Sequence, residues 1–398
     1  MVNSTLQSSK IFSSIYDPDC VFVARSSQNA SHWLPPNRIL LDIMTAGMMT
    51  VLGDMPIICA ASASSTDALC LLRDAGFWLP REIHSYVNAD DFMMILKKFR
   101  TAGMKVVAQH VYPLSEIPQE CCWIDPSILS FLNNKANLGK LVPVGNIPAR
   151  DIILIDQIVN GDKKWNLPVV IKAATDESTG GGVDVRICFK NNDIKNAASY
   201  FSDCRFVICE EYLNIQQNLC LHYCVTADGT IDYLGFAEQV SDDNGAYCGN
   251  WLEEGTRCPI KAVEVGLSIV RAAYERGYYG IVGIDMAVYD GNPCKVFDLN
   301  FRGNGSTPAI LYSESVHRYH RQPVIRLRRL KGKGNYQNML DSVYRAMAKG
   351  ILLPLSSCDP EKMGYIDEHP LLIGMILGET RQHVLENEHE LISMGLAI

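Results

Sequence analysis

No Cys-x-x-Cys pair occurs in this chain, although 14 cysteines are scattered through its 398 residues at irregular spacings. A chain of this length buries a core without disulfide staples, so the pattern argues against a zinc or dithiol motif and for free thiols in a reducing cytoplasm. Dense basic runs with interleaved aromatics are missing too. With a formal net charge of −8 and a pI near 5.6, contact along a nucleic-acid backbone is not expected. Long apolar runs are scarce: residues 39–61 come nearest, but Asp42 and Asp54 interrupt them, so no membrane span is expected. The opening MVNSTLQSSKIFSS is polar and has no apolar h-region, which argues against a secretory signal. Neither a low-complexity tract nor an internal repeat is visible. What remains has an ordinary globular composition, 47% hydrophobic and 20% charged, and room for two or three domains.

The first third alternates apolar runs with amphipathic ones. CVFVAR (20–25), MPIICAA (55–61) and MKVVAQHVY (104–112) read as buried strands. One helix starts at Thr66-Asp67 and stops at Gly76; another starts at Ala89-Asp90 and stops at Gly103. Strand-helix alternation predicts an open parallel α/β sheet. No GxGxxG turn follows any of these strands, so this part is expected to serve as scaffold or acceptor pocket and not to hold a dinucleotide.

From about residue 125 the pattern changes. A polar helix is predicted over LNNKANLGKLV (132–142), followed by strands PVVIKAAT (168–175), VDVRICF (183–189), RFVICEEYL (205–213) and LCLHYCVTADGTIDYLGFAEQV (219–240). That is antiparallel α+β material. A helix over 261–276 places Val263, Leu267, Val270 and Tyr274 on one stripe and stops at Gly277. Beyond residue 335 come a helix, the strand PLLIGMILG (370–378) and a final amphipathic helix, a tail expected to fold onto the main body.

VGIDMAVYDGNPCKVFDLNFRGNGST (282–307) sets one acid in an apolar run and a second in the run that follows. Asp290-Gly291-Asn292-Pro293 is a turn, so the flanking runs form an antiparallel hairpin. If Tyr289 and Cys294 close the loop, Asp285 faces Asp298 with Cβ atoms about 5 Å apart, where like charges repel. Asp298, Asn300 and Arg302 then share one face, while Phe297, Leu299 and Phe301 share the core face. Two carboxylates and an amide oxygen suit Mg²⁺ that also binds phosphate. The alternatives are one protonated carboxyl, or a pair splayed to water.

Lys172 lies inside VVIKAA, where an unpaired ammonium is costly to bury. TDESTGGG (175–182) follows, and its glycines let backbone N–H groups approach a ligand such as a phosphate. The other reading is a flexible hairpin tip with Lys172 snorkelling to the surface. Glu210, Glu211, Tyr212 and Leu213 end a strand whose free backbone groups could meet a purine edge, although two adjacent acids at a strand end are more often a solvated turn. Cys220, His222 and Cys224 share a strand face and read either as a soft-metal site or as packed core. His317, His320 and Arg321 could meet a substrate carboxylate or merely charge a surface helix.

The order of these pieces, a cation on a strand, a glycine loop, acids at a connecting segment and a paired-acid hairpin ending N-x-R-x-N-G, resembles the ATP-grasp superfamily of carboxylate–amine ligases. The resemblance covers about residues 129–330. It implies an α/β and α+β architecture: a Rossmann-like pre-ATP-grasp domain (1–128), an ATP-grasp domain (129–330, subdomains 129–213 and 214–330) and a folded strand-helix tail (331–398). The start VFVARSS and the tail further resemble natural-product peptide ligases of the pheganomycin-ligase type. By position the resemblance implies ATP held by Lys135 and Lys172 under the loop Ser178, Thr179, Gly180, Gly181 and Gly182, with adenine at Glu210, Tyr212 and Leu213. It implies Mg²⁺, or Mn²⁺ in its place, on Asp285, Asp298 and Asn300, and Arg302 on an acyl phosphate, with Arg302 and Lys172 as the catalytic cations. Where the family usually has an acid for the ribose, this chain has Gln217 and Asn218. The implied reaction joins an amino acid or peptide carboxylate to an amine and releases ADP and phosphate. A kinase acting on a hydroxyl and a non-catalytic ATP-binding regulator are the competing readings. Specificity is expected in the N-terminal domain, the tail and SDDNGAYCGNWLEEG (241–255), a candidate mobile lid. Homo-oligomers are compatible with all of this.

Overall fold

The computed structural model describes residues 6–27, 32–160, 166–242, 247–289 and 294–398. Three sheets organise it. The first is parallel and contains β1 (Cys20–Val23), β2 (Ile57–Ala60), β3 (Ile83–Tyr86) and β4 (Lys105–Ala108) in the order β3-β2-β1-β4. Between its strands run α1 (Arg38–Thr45), α2 (Thr66–Asp74) and α3 (Ala89–Thr101). The caps explain the starts: Ser65 and Asn88 accept from the backbone N–H groups of Ala68 and Asp91. Among the strands and helices of this sheet and its connections, two escaped the sequence reading. β3 reads IHSY, too polar for a buried strand because it is the sheet edge. α1 lies within a run apolar enough to resemble a strand, yet Asn37 caps it through the Leu40 N–H.

A turn of helix precedes the second sheet, at a different place from the one expected. Instead of one helix over 132–142, α4 (Pro126–Asn133) ends before a 3₁₀ stretch, Lys135–Lys140. Asn134 is extended (φ −75°, ψ 114°) and its side chain accepts from the Ala136 N–H, so it ends one helix and caps the next. The second sheet, antiparallel, has the order β5-β8-β6-β7, built from β5 (Arg150–Leu154), β6 (Val169–Ala173), β7 (Val185–Cys188) and β8 (Phe206–Glu211), with α5 (Ile155–Val159) and α6 (Asn191–Tyr200) packed on it.

The third sheet is large and antiparallel. Its path is β13-β12-β9-β10-β11-β14-β16-β15, where β9 is Gln217–Val225, β10 Ile231–Ser241, β11 Tyr247–Glu253, β12 Gly280–Val288, β13 Lys295–Asn300, β14 Val324–Gly332, β15 Leu352–Cys358 and β16 Leu371–Gly378. A short β17 (Leu396–Ala397) pairs with β14. The tail strands therefore extend this sheet. Helices α7 (Ile260–Tyr274), α8 (Thr307–His320), α9 (Tyr336–Ala348) and α10 (Arg381–Ser393) accompany it. On α7 the buried stripe is Ala262, Gly266, Ile269, Val270 and Ala273, displaced from the expected one. Small residues win the contact because α7 comes close to β9: a Cβ on Gly266 would lie 2.2 Å from the Tyr223 hydroxyl. Tyr247–Glu253 of the expected lid forms β11; residues 243–246 and the turn 290–293 lie outside the described residues.

One apolar core fuses the parallel sheet to the large one, joining Phe12, Phe22 and Ile57 to Ile310, Tyr312, Ile325 and Met375. Tyr312 donates to the Thr50 carbonyl at 2.5 Å across that junction. Among the described residues no helix is long and apolar enough to cross a membrane.

Asp42, one of the two acids interrupting the apolar run, is buried on α1 and accepts from Ser62 Oγ at 3.2 Å. Burial pushes its carboxyl up from 3.8 to about 6, against the opposing effects of Ser62 and Arg25. A folded-state pKa above the unfolded one means stability present below pH 4 and lost as pH rises through 6. Asp42→Asn is therefore expected to stabilise the protein by about 1–3 kcal/mol at pH 7.5 and not at pH 4, read from denaturant midpoints at both pH values.

Candidate active site

The hairpin forms in the expected register. Asp285 pairs with Asp298, Ile284 with Leu299 and Gly283 with Asn300. Beyond Asp285 the register slips by one, pairing Met286 with Val296, so Phe297 is the bulged residue. This corrects the expected core face: Leu299 and Phe301 are buried, whereas Phe297 is half-buried and lines the cleft. Its freed carbonyl accepts from Lys172 Nζ at 3.0 Å.

Lys172 comes from β6 in the middle sheet and also meets Glu210 Oε1 at 2.5 Å, both groups being nearly inaccessible. The buried ammonium thus finds its anion one strand away. Glu210 is 2% exposed and committed to this pair, with Arg150 at 3.7 Å on its other oxygen. Only the backbone beyond it stays at the rim: Glu211 and Tyr212 are exposed, and Leu213 lines the cleft beside them.

Lys135 is the hub. Its Nζ lies 3.2 Å from Thr179 Oγ1, 3.1 Å from Asp184 and 3.0 Å from Asp298. Burial alone would depress this ammonium, but Asp184 and Asp298 outweigh it and hold the pKa above the ordinary value. Arg302 reaches the glycine loop from the hairpin side, donating to the Thr179 carbonyl at 2.9 Å and to Asn133 Oδ1 at 3.2 Å. Ser178 is buried, and its Oγ has no hydrogen-bond partner among the described residues. Gly181 adopts φ +67° and Gly182 φ +76°, and a Cβ on Gly181 would meet Pro35 at 2.9 Å. Gly180 N–H donates to the Trp33 carbonyl at 3.2 Å, so the N-terminal domain braces this loop.

Asp285 accepts from Gln239 Nε2 at 2.7 Å and Asn300 Nδ2 at 3.3 Å. Burial, and then the charge of Asp298, hold it well above the usual carboxylate range. Lys135 and Arg302 act in the opposite sense and offset this only in part. Among the described residues no group of three or more His, Cys, Asp or Glu is placed to hold a metal ion. A divalent cation would therefore be held by two carboxylates and a carboxamide, a hard-oxygen set with ligand positions left for water or phosphate. The Lys135 ammonium on Asp298 supplies part of the charge the set calls for.

Around these groups lies a cavity of about 860 Å³, which Lys135, Lys172, Thr179 to Gly182, Glu210 to Leu213, Asp285, Asp298, Asn300 and Arg302 all line. Residues of the second and third sheets contribute, and Leu40 and Met44 of α1 with Gln109 and His110 just after β4 close it from the N-terminal side. His317, His320 and Arg321 do not line it: α8 begins at the cavity with Ser306 and Pro308 and carries them some 14 residues away, about 20 Å along its axis. The Cys220/His222/Cys224 face is packed core. His222 is wholly buried, held neutral by burial, and contacts Ser306 Oγ at 3.1 Å and Thr307 Oγ1 at 3.3 Å, buttressing the loop after Arg302.

Sequence reasoning missed Asp184, Arg150, Gln239 and His110. Asp184 carried a usable signal, an acid between Val183 and Val185 in an apolar strand, the same feature that marked Asp285. His110 carried none. It is buried in the cavity wall, its Nδ1 has no hydrogen-bond partner among the described residues, and burial followed by Arg302 lowers its pKa to about 3.

Solved structures share the fold over most of the chain. N5-carboxyaminoimidazole ribonucleotide synthetase in an ADP complex matches with TM-score 0.60 at 9% identity, over 87% of this chain and 93% of that one. The Staphylococcus aureus N5-carboxyaminoimidazole synthetase with ADP matches with TM-score 0.60 at 11% identity, over 97% and 99%. Biotin carboxylase from Campylobacter jejuni matches with TM-score 0.58 at 11% identity, over 95% and 92%. At such identities the likeness speaks for the fold, which is that of the ATP-grasp enzymes with a preceding parallel α/β domain. The chain is an ATP-grasp ligase, forming C–N bonds. Its sequence matches two family models of one enzyme: residues 11–130 match the L-aspartate–L-methionine ligase N-terminal domain, and residues 148–300 the L-aspartate–L-methionine ligase ATP-grasp domain.

Removing one member of a buried ion pair leaves the other uncompensated. Glu210→Ala is expected to lower unfolding free energy by about 3 kcal/mol, and the double variant Lys172→Met/Glu210→Leu to recover most of it. Denaturant titration of the three proteins checks this.

Proposed function

We propose that this enzyme activates an amino acid carboxylate with ATP and joins it to the amine of a second amino acid, through an acyl phosphate, releasing ADP and phosphate. The presence of Lys135, Lys172 and Arg302 together with the paired acids Asp285 and Asp298 in the lining of one cavity carries the reading. L-Aspartate and L-methionine are the first substrates to test, because both family models bear those names. The narrower likeness to peptide ligases of the pheganomycin-ligase type belongs to the same proposal, as do the domain limits 1–128, 129–330 and 331–398.

In this reading Asp285, Asp298 and Asn300 hold Mg²⁺ or Mn²⁺, which when bound neutralises charge on phosphate oxygens. The backbone of 211–213 borders the adenine, and the 178–182 loop covers the phosphates. Lys135 exchanges Asp184 and Asp298 for phosphate oxygens, and Lys172 leans from Glu210 toward them. Arg302 holds charge on the transferred group and then on the tetrahedral oxyanion formed when the amine attacks. His110 is neutral at the cavity wall and adds no competing positive charge. No side-chain nucleophile is required.

The deciding experiment is Mg²⁺-dependent phosphate release with ATP and amino acid pairs, followed by mass spectrometry. A product lighter by one water than the sum of its two components supports ligation; phosphate transferred to one component with no condensation supports a kinase.

Asp298→Asn is expected to reduce turnover roughly a hundredfold or more with an unchanged circular dichroism spectrum; near-normal turnover would end the metal assignment. Arg302→Ala is expected to lower kcat by about a hundredfold while ATP affinity changes by less than about threefold. Equal losses in both would make Arg302 a ground-state nucleotide ligand.

A further inference from the structure

Past the paired acids the cavity continues across the large sheet to β14, and there it meets an unmatched arginine. Pairing of Asn250 with Leu327 and of Gln239 with Asn250 puts these side chains on the sheet face that carries Asp285. Arg329 follows Leu327 by two residues and so projects from that same face; it lines the cavity. The arginines around it all have a carboxylate partner. Arg326 and Arg328 both pair with Glu388 on α10, at 2.9 and 3.1 Å, and Arg381 pairs with Glu238 and Glu253. Arg329 has no carboxylate partner among the described residues. One of its amino groups donates to the Tyr247 carbonyl at 2.7 Å, and the guanidinium sits 5.9 Å from the Tyr247 ring centre.

Beside Arg329 the wall turns apolar. Ile373 on β16 pairs with it, Leu355 of β15 and Met44 of α1 line the same cavity, and Met44 is 37% exposed although apolar. A fork of guanidinium donors next to apolar surface suits an amino acid, with its carboxylate on the one and its side chain on the other. The distance agrees. From β12 to β14 there are four strand spacings, about 19 Å between backbones. Two amino acids laid end to end cover about 7 Å; a phosphoryl group at one end and the reach of the arginine at the other fill the rest.

We infer that Arg329 binds a substrate carboxylate other than the one activated, with Met44, Leu355 and Ile373 accepting an apolar side chain beside it. This rests on the ligase reading. The chemistry allows two sources for that carboxylate, the second carboxylate of an acidic donor or the α-carboxylate of the acceptor.

The test uses the full chain with ATP, Mg²⁺, L-aspartate and L-methionine, replacing the amino acids in turn by L-asparagine, isoasparagine and L-methioninamide and following phosphate release. The carboxamide that abolishes turnover marks the activated carboxylate. Of the remaining two, one is expected to raise KM at least tenfold. Arg329→Gln is expected to raise KM for the matching free acid as much and to abolish the discrimination against its carboxamide. Arg329→Lys should restore part of it, while ATP affinity and the thermal unfolding midpoint stay constant in both variants. A discriminated analogue of the amino acid whose carboxylate is activated identifies the donor as the source, and one of the other amino acid identifies the acceptor. Discrimination that survives Arg329→Gln, or none in the wild type, overturns the inference and leaves the ligase reading intact. A wild type that releases no phosphate with any free amino acid pair overturns both.

Discussion

Two carboxylates placed opposite each other in neighbouring strands repel, and much of this molecule is arranged around that repulsion. Asp285 cannot turn away, because its strand is buried on both faces and Gln239 and Asn300 grip its oxygens. Asp298 is drawn toward Lys135, which lies in another part of the chain and simultaneously holds the glycine loop and Asp184. A like-charge pair that no apolar packing could tolerate thus becomes the point at which three segments meet. Where a carboxylate pair is left short of positive charge, a divalent cation has its place.

The same logic governs how the sheets are joined. Lys172 crosses from the middle sheet to a carbonyl freed by the bulge at Phe297; Arg302 crosses the other way to the Thr179 carbonyl. These are charge-assisted bonds between separate elements, stronger than neutral ones and lost when the elements part. The cavity is therefore held by charged groups from both sides. Apolar packing handles the rest: the N-terminal sheet and α8 share one core with β14 and β16, while Trp33 and Pro35 brace the glycine loop from outside.

Much of this could be read from the residues. Apolar runs bounded by turns marked most strands, and Asp-Gly-Asn-Pro marked a hairpin whose register put Asp285 against Asp298. Capped stretches marked α2, α3, α9 and α10. The failures share a cause, in that the deciding contact is distant in the chain. Whether α7 buries Val263 or Gly266 depends on Tyr223, some 40 residues earlier. The Phe297 bulge turns a core residue into a cavity wall. Glu210 looked like a rim acid until the β6–β8 pairing brought it to Lys172, and Arg329 was one arginine among several until Glu388 claimed its neighbours.

By itself the sequence determined which residues could carry charge into an apolar setting, since an acid or lysine inside a buried strand stands out against the residues on either side of it. It determined the strand periodicities, the hairpin and the superfamily likeness of the region from 129 to 330. Tertiary structure alone decided which charges meet. Ion pairs and cavities join residues far apart in the chain through a few ångströms of space, and period-2 or period-3.6 patterning carries no information about that distance. For this reason Lys135 could be expected on a phosphate, while its role as the link between Asp184, Asp298 and Thr179 emerged only when the sheets had closed.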